Sequence, residues 1–171
     1  MKMTDSLFSF PNPVNEVSAR LVAAGVVLIA LAAILFAQPW IFIVLAYGFL
    51  ARVLTGPTLS PLGQFVTRVL TPALPFEQKL VPGPPKRFAQ GIGAAFSVTA
   101  AVLVVGFDQI GAGSILLVVL AAFATLESVF GICVGCKVFA ILMRAGVIPP
   151  EVCESCNKIT LSGPAAAAGS R

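Results

Sequence analysis

The 171-residue chain has no histidine. That excludes Ser-His-Asp and Cys-His nucleophile pairs, HExxH zinc sites and histidine-ligated haem. Tyrosine and tryptophan occur once each, as Tyr47 and Trp40, and most of the 13 phenylalanines sit in or beside apolar runs. Little is left for a platform on which bases could stack, so no nucleic-acid partner is expected. Charged residues make up only 11% of the chain, against roughly 25% in soluble domains. Disorder is excluded by the same scarcity of charge. What the chain has instead is apolar surface: 58% of residues are hydrophobic and the mean hydropathy is +0.99. A water-soluble globule of this size could not bury so much, so the expected class is an all-α integral membrane protein with the lipid bilayer as its first partner.

Four runs read as transmembrane helices, in two tight hairpins, over about residues 17–37, 39–54, 88–107 and 109–131. The first holds 17 residues without a charge, Leu21 to Ala37, and from Val17 it would span about 30 Å. Asp5 and Glu16 precede it and its only A-x-A triplet lies inside the run, so a cleavable signal peptide is not expected. Arg52 interrupts the second run near its end, and Trp40 suits an interface. Small residues in the third (Gly91, Gly93, Ala94, Ala95, Ser97, Ala100, Ala101) favour close helix packing.

The turns Gln38-Pro39 and Asp108-Gln109 carry no Lys or Arg, and all 11 basic residues fall on the other side. The positive-inside rule therefore expects residues 1–16, the loop 55–87 and the C-terminal segment to face the cytoplasm from a cell (inner) membrane. Within that loop Ser60-Pro61 reads as N-cap and first residue of a short interfacial helix carrying Leu62, Phe65, Val66, Val69 and Leu70 on one face. Val81 to Arg87 reads as a stiff, proline-rich loop with a basic end. Topology alone accounts for Lys86 and Arg87.

The constellation that carries chemistry is Cys133-Val134-Gly135-Cys136 followed by Cys153-Glu154-Ser155-Cys156, which uses every cysteine in the chain. Two such pairs, placed in the cytoplasmic segment 132–162, leave two chemistries open. One is thiol–disulfide exchange or sulfur relay, in which one thiolate of a pair attacks and the other resolves, helped by cations such as Lys137 and Lys158 or by a helix N-terminus. The other is a structural site in which Cys133, Cys136, Cys153 and Cys156 hold zinc or iron. The connector reads as a helix, Lys137 to Ala145, ending at Gly146 before Pro149-Pro150. A static disulfide is disfavoured in a reducing compartment. Residues 163–171, GPAAAAGSR, read as a disordered tail.

Glu127 is the only acid between Gln109 and Cys136. An intramembrane carboxylate suggests a proton relay or ion binding, but at the cytoplasmic edge it could simply pair with Arg20 or Arg52. A small oligomeric transporter or channel built on Glu127 is the third functional expectation.

Phe10-Pro11-Asn12-Pro13-Val14-Asn15-Glu16, Leu54-Thr55-Gly56-Pro57 with Ser60-Pro61, Gly83 to Gly91 (GPPKRFAQG) and Glu127 to Cys136 together resemble the DUF4395 domain proteins, an uncharacterised bacterial membrane family. The resemblance runs over about residues 7–158 and includes both CxxC pairs. It implies a thioredoxin-like or sulfurtransferase protein as a soluble partner, and no established activity; a place in a larger membrane complex is a separate expectation. Thioredoxin itself is not matched, since neither CGPC nor a βαβ pattern is present. The expectation is thus a membrane-embedded redox or sulfur-relay component, with a non-enzymatic subunit stapled by a four-cysteine metal site as the alternative.

Overall fold

A computed structural model of the chain describes residues 10–75 and 79–153. Segments 1–9 and 163–171, and with them the N-terminal and tail readings, lie outside the described residues. Helix α1 (Glu16–Phe36) starts on Asn15, whose side chain accepts from the Val17 N–H at 3.0 Å, with Glu16 in the first turn. There a carboxylate meets the positive end of the helix dipole. The helix stops where Ala37 turns left-handed, and after Gln38 the next helix, α2 (Pro39–Thr55), opens on proline at a position whose N–H would be unpaired anyway. Ser60 caps the short α3 (Pro61–Phe65) as expected, accepting from the Gly63 N–H at 3.2 Å. A π-helical turn, Val66–Leu70, and a last turn, Thr71–Ala73, extend it. Val66 of the expected apolar face is buried, while Phe65 and Val69 stay exposed.

Helix α4 (Gly83–Phe107) begins at Gly83 rather than Phe88. The proline-rich stretch is therefore not a loop up to Arg87. Pro84 and Pro85 sit in the first turn, where a missing N–H costs no hydrogen bond. This places Lys86 inside a helix. Helix α5 (Ile110–Phe130) follows Asp108 and Gln109, and α6 (Val134–Arg144) starts three residues after the left-handed Gly131.

Three helices, α1, α4 and α5, are long and apolar enough to cross a membrane, and α2 is apolar with 17 residues. In the bundle α1 packs on α5, α2 on α4, and α4 on α5. The core holds Ala30, Ala33, Phe42, Leu45, Ala100, Val104 and Leu117, all buried. Outward-facing Leu28, Leu35, Val105 and Ile115 are more than half exposed, a surface suited to lipid and not to water. Small residues in α4 do allow close approach, since a Cβ on Gly93 would strike the Phe49 ring. Gly91 faces open space and has no such role.

One end of the bundle is tied across α1, α4 and α5. Strand β1 (Val14–Asn15) pairs antiparallel with β2 (Leu80–Val81), Val14 opposite Val81. Asn12 accepts from the Gly83 N–H at 3.0 Å and Glu16 forms an ion pair with Lys79 at 3.1 Å. Arg20 donates to the carbonyls of Ser128 at 3.1 Å and Val129 at 2.8 Å, closing the negative end of α5 with a cation.

Candidate functional site

At that end, the chain leaves α5 through a Gly131 turn. The Gly131 N–H bonds the Glu127 carbonyl and the Ile132 N–H that of Leu126, a C-terminal motif that needs a residue at positive φ, here Gly131 at 66°. The turn throws Cys133 into extended backbone at the N-cap of α6, where its sulfur accepts from the Cys136 N–H at 3.3 Å. A cap is ordinarily an oxygen of Ser, Thr, Asp or Asn. Here a sulfur does the work, and the partial positive charge of a helix N-terminus favours its anionic form. The helix therefore starts at Val134, ahead of the expected Lys137.

Cys133 and Cys136 both carry free thiols. The Cys136 thiol donating to the Cys133 sulfur is the largest influence on the pair. It holds the Cys133 thiol below its ordinary range, together with Lys86 and the backbone N–H, against burial and the Glu127 carboxylate, which act upward. The Cys136 thiol is pushed up by the same hydrogen bond and by burial. The hydrogen bond thus favours the anion at Cys133 and the thiol at Cys136. The cation that assists is Lys86, not the neighbouring Lys137, which is exposed.

Lys86 comes from the first turns of α4 and ion-pairs with Glu127 of α5 at 2.5 Å, with 11% and 17% of their side chains exposed. Glu127 therefore does not pair with Arg20 or Arg52 as the sequence suggested. Arg20 is taken by the α5 carbonyls. Arg52 is buried, stacks 4.5 Å over the Phe49 ring, and donates to Gln90 Oε1 at 3.0 Å and Ser60 Oγ at 3.2 Å. Gly135 seats α6 against α4: a Cβ there would lie 2.6 Å from both Cα and Cβ of Ala89. The role of this glycine is close approach of two helices, with no left-handed backbone involved.

Beneath the α6 N-terminus a cavity of about 250 Å³ opens between the helices. Val22, Val26, Phe49 and Leu120 give it an apolar wall, and Gln90, Glu127 and Cys133 are its polar groups. Cys136 is not part of that wall. Gln90 and Lys86 are the residues that reading the sequence missed. A lysine beside a proline-rich stretch at the basic end of a span signals orientation, and nothing local signals a partner on another helix.

Cys153 is buried against Phe139 of α6, whose ring packs on Phe88 at 5.6 Å. It is disulfide-bonded, unlike Cys133 and Cys136. Cys156 lies outside the described residues. Among the described residues no three His, Cys, Asp or Glu side chains gather into a group that could hold a metal ion, so Cys133, Cys136 and Cys153 do not form part of one cluster.

A family model described as "Domain of unknown function (DUF4395)" matches residues 14–144, and the chain belongs to that family. Neither a curated protein nor a solved structure matches it.

Proposed function

We propose that this member of the DUF4395 family is a membrane-embedded thiol–disulfide component whose working pair is Cys133 and Cys136. The observation that supports the reading best is the capped sulfur: Cys133 accepts from the Cys136 N–H at 3.3 Å at a helix start. The two thiols are driven in opposite directions, as an attacking and a resolving sulfur require. In this reading α1, α2, α4 and α5 all cross an inner membrane, with termini and cysteines at the cytoplasmic face. The basic residues support that sidedness.

The oxidised pair accepts electrons from a soluble thiol protein, such as a thioredoxin-like partner. Its thiolate attacks the Cys136 sulfur, the half-buried member of the pair. The Cys133–Cys136 bond breaks and Cys133 departs as thiolate, the better leaving group because its pKa is held down. A second thiol of the partner then attacks its own sulfur in the mixed disulfide. That releases Cys136, which takes a proton, and leaves the partner oxidised. Glu127, paired with Lys86 beside the two sulfurs, lies within reach of the proton traffic. Cys153 and Cys156 form a second pair on the tail, able to pass electrons between the partner and the membrane-proximal pair. A sulfur relay would use the same nucleophile: the Cys133 thiolate would attack the outer sulfur of a persulfide on the partner, whose S–S bond breaks, so that Cys133 carries the persulfide and the partner leaves as thiolate.

Purified protein with Cys153 and Cys156 replaced by serine tests the reading. Two thiols per chain should interconvert with one disulfide when a reduced thioredoxin and a mild oxidant are supplied in turn, followed by maleimide gel shift. Cys133→Ser and Cys136→Ser should each abolish the change. Mass spectrometry separates the two chemistries, since a persulfide adds sulfur and a disulfide removes two hydrogens. A pair that stays reduced under an oxidant that closes a control dithiol would overturn the proposal, as would wild-type protein, prepared without added metal, in which one metal equivalent protects all four thiols.

A further inference from the structure

The sulfur that caps α6 faces the interior of the bundle. Cys133 is only 9% exposed and forms part of the cavity wall, while Cys136 does not. A soluble protein reaches Cys136 first. Whatever reacts at Cys133 arrives from the apolar side.

From this we infer that the cavity binds the ring of a lipid-soluble quinone, which takes the electron pair of the Cys133–Cys136 dithiol. The inference rests on the thiol–disulfide reading above. The cavity, about 250 Å³, lies just below the roughly 300–1,000 Å³ common for small-molecule sites. It accommodates a planar ring system and not a long isoprenoid tail. Its walls are apolar, apart from three groups, and each suits a quinone. Gln90 has its side-chain oxygen held by Arg52 Nε at 3.0 Å. Its amide nitrogen is left as a donor for a ring carbonyl, which is the polarisation that helps a nucleophile add. Glu127, held by Lys86, stands where protons must pass. Cys133 supplies the thiolate. An aliphatic ligand would make no use of the Gln90 amide nitrogen or of the Glu127 carboxylate on the cavity wall.

The step balances. The Cys133 thiolate adds to a ring carbon and a C–S bond forms. Cys136 loses its proton and its sulfur attacks the Cys133 sulfur. The S–S bond forms and the C–S bond breaks, its electron pair staying on the ring. The two protons given up by the thiols end on the two ring oxygens. The dithiol is oxidised to disulfide and the quinone is reduced to hydroquinone. Arg52 touches none of the reacting atoms. It is a positioning residue, acting through Gln90.

The test uses full-length protein in lipid nanodiscs, reduced and freed of reductant, mixed with a short-tailed, fully substituted benzoquinone, whose ring has no hydrogen to lose and so adds a thiolate only reversibly. Quinone absorbance should fall by one equivalent per chain as the Cys133–Cys136 bond forms. Ala124→Phe, which puts a ring into the cavity from its α5 wall, should slow this at least tenfold while leaving exchange with thioredoxin, which enters at Cys136, unchanged. Should that variant fail to fold, Gln90→Leu serves: it should raise the quinone concentration giving half-maximal rate, and Gln90→Asn should restore part of it. Arg52→Lys, tested for positioning, should likewise raise that concentration more than it lowers the maximal rate. A dithiol that exchanges with thioredoxin but leaves the quinone unreduced, or reduces it equally well in Ala124→Phe and Gln90→Leu, overturns the quinone inference and leaves the thiol reading standing. A dithiol that reacts with neither overturns both.

Discussion

Lys86 and Glu127 face each other at 2.5 Å across the interface of α4 and α5, both largely withdrawn from solvent. They join the start of one apolar helix to the end of the next, directly beside the Cys133–Cys136 pair. Removing one member leaves a buried charge without its partner, which typically costs about 3–5 kcal/mol. Replacing both with apolar groups of similar volume is commonly near neutral. Lys86→Met and Glu127→Leu should therefore each lower the thermal unfolding midpoint in detergent, and the double variant should recover most of the loss. If the single effects simply add, the two side chains are not coupled. Quinone or thioredoxin turnover in the double variant separates the two roles: full activity would make the pair structural and would remove Glu127 from proton transfer.

The Cys133 thiol is held below the ordinary thiol range, first by the Cys136 thiol and then by Lys86 and the backbone N–H. Alkylation follows the thiolate fraction. The rate at Cys133 should thus rise with pH through a midpoint lower than the roughly 8.5 of a free cysteine. Cys136, pushed in the opposite direction, should remain unreactive over the same range. Cys136→Ala removes the donated hydrogen bond and should shift the Cys133 midpoint upward. Lys86→Met should shift it the same way by removing a nearby cation. Site-resolved mass spectrometry after timed iodoacetamide treatment reads both cysteines in one experiment. A Cys133 midpoint at or above that of a free thiol would contradict the capped-sulfur geometry.

The helices were legible because each has a local cause. Charge-free runs bounded by Pro39 and by Asp108-Gln109 mark where α1, α2, α4 and α5 begin or end, and the expected ends fall within a residue or so of those seen, except at Gly83. The cysteine spacing pointed to Cys133 and Cys136, but the helix expected from Lys137 begins at Val134, because the Gly131 turn puts Cys133 at its N-cap. What stayed hidden was long-range. Two-residue strands such as β1 and β2 carry no periodicity to detect. The positive charges of Arg52 and Lys86 fit the orientation rule so well that burial was unexpected. Only the packing of α4 against α2 and α5 brings Gln90 and Glu127 to them.

Gly135 stands between the two cysteines, and its hydrogen lies against Ala89 of α4. A methyl group there would sit 2.6 Å from Ala89 Cα and Cβ, and neither atom can move without the helix. Gly135→Ala should displace α6 from α4 and lower stability by about 1–3 kcal/mol, the usual cost of overpacking. Because α6 carries Cys133 at its N-cap, displacing the helix should make alkylation of that sulfur by a water-soluble reagent faster even as oxidation by the quinone slows. Gly91→Ala, on the same helix as Ala89 but facing open space, is the control and should change neither. An unaltered Cys133 alkylation rate in Gly135→Ala would mean that α6 is not held by this approach.

The proposed sidedness follows from where the basic residues gather. Arg20, Arg52, Lys79, Lys86 and Arg87 all lie at the bundle end that carries Cys133, tied there by contacts such as Arg20 to Ser128 and Lys79 to Glu16. The turns at the opposite end hold no Lys or Arg. Positive residues are retained on the cytoplasmic side, so the proposal puts the cysteines there and the two turns opposite. Gln38 and Gln109 are exposed at those turns and can be replaced one at a time. In sealed vesicles of known orientation, an impermeant maleimide should label Gln38→Cys and Gln109→Cys from the outer side only, and Lys137→Cys, exposed next to the thiol pair, from the cytoplasmic side only. Labelling of Gln38→Cys and Gln109→Cys from opposite sides would refute four spans. The inverse of the expected pattern would place the thiol pair outside, where a cytoplasmic reductant could not reach Cys136.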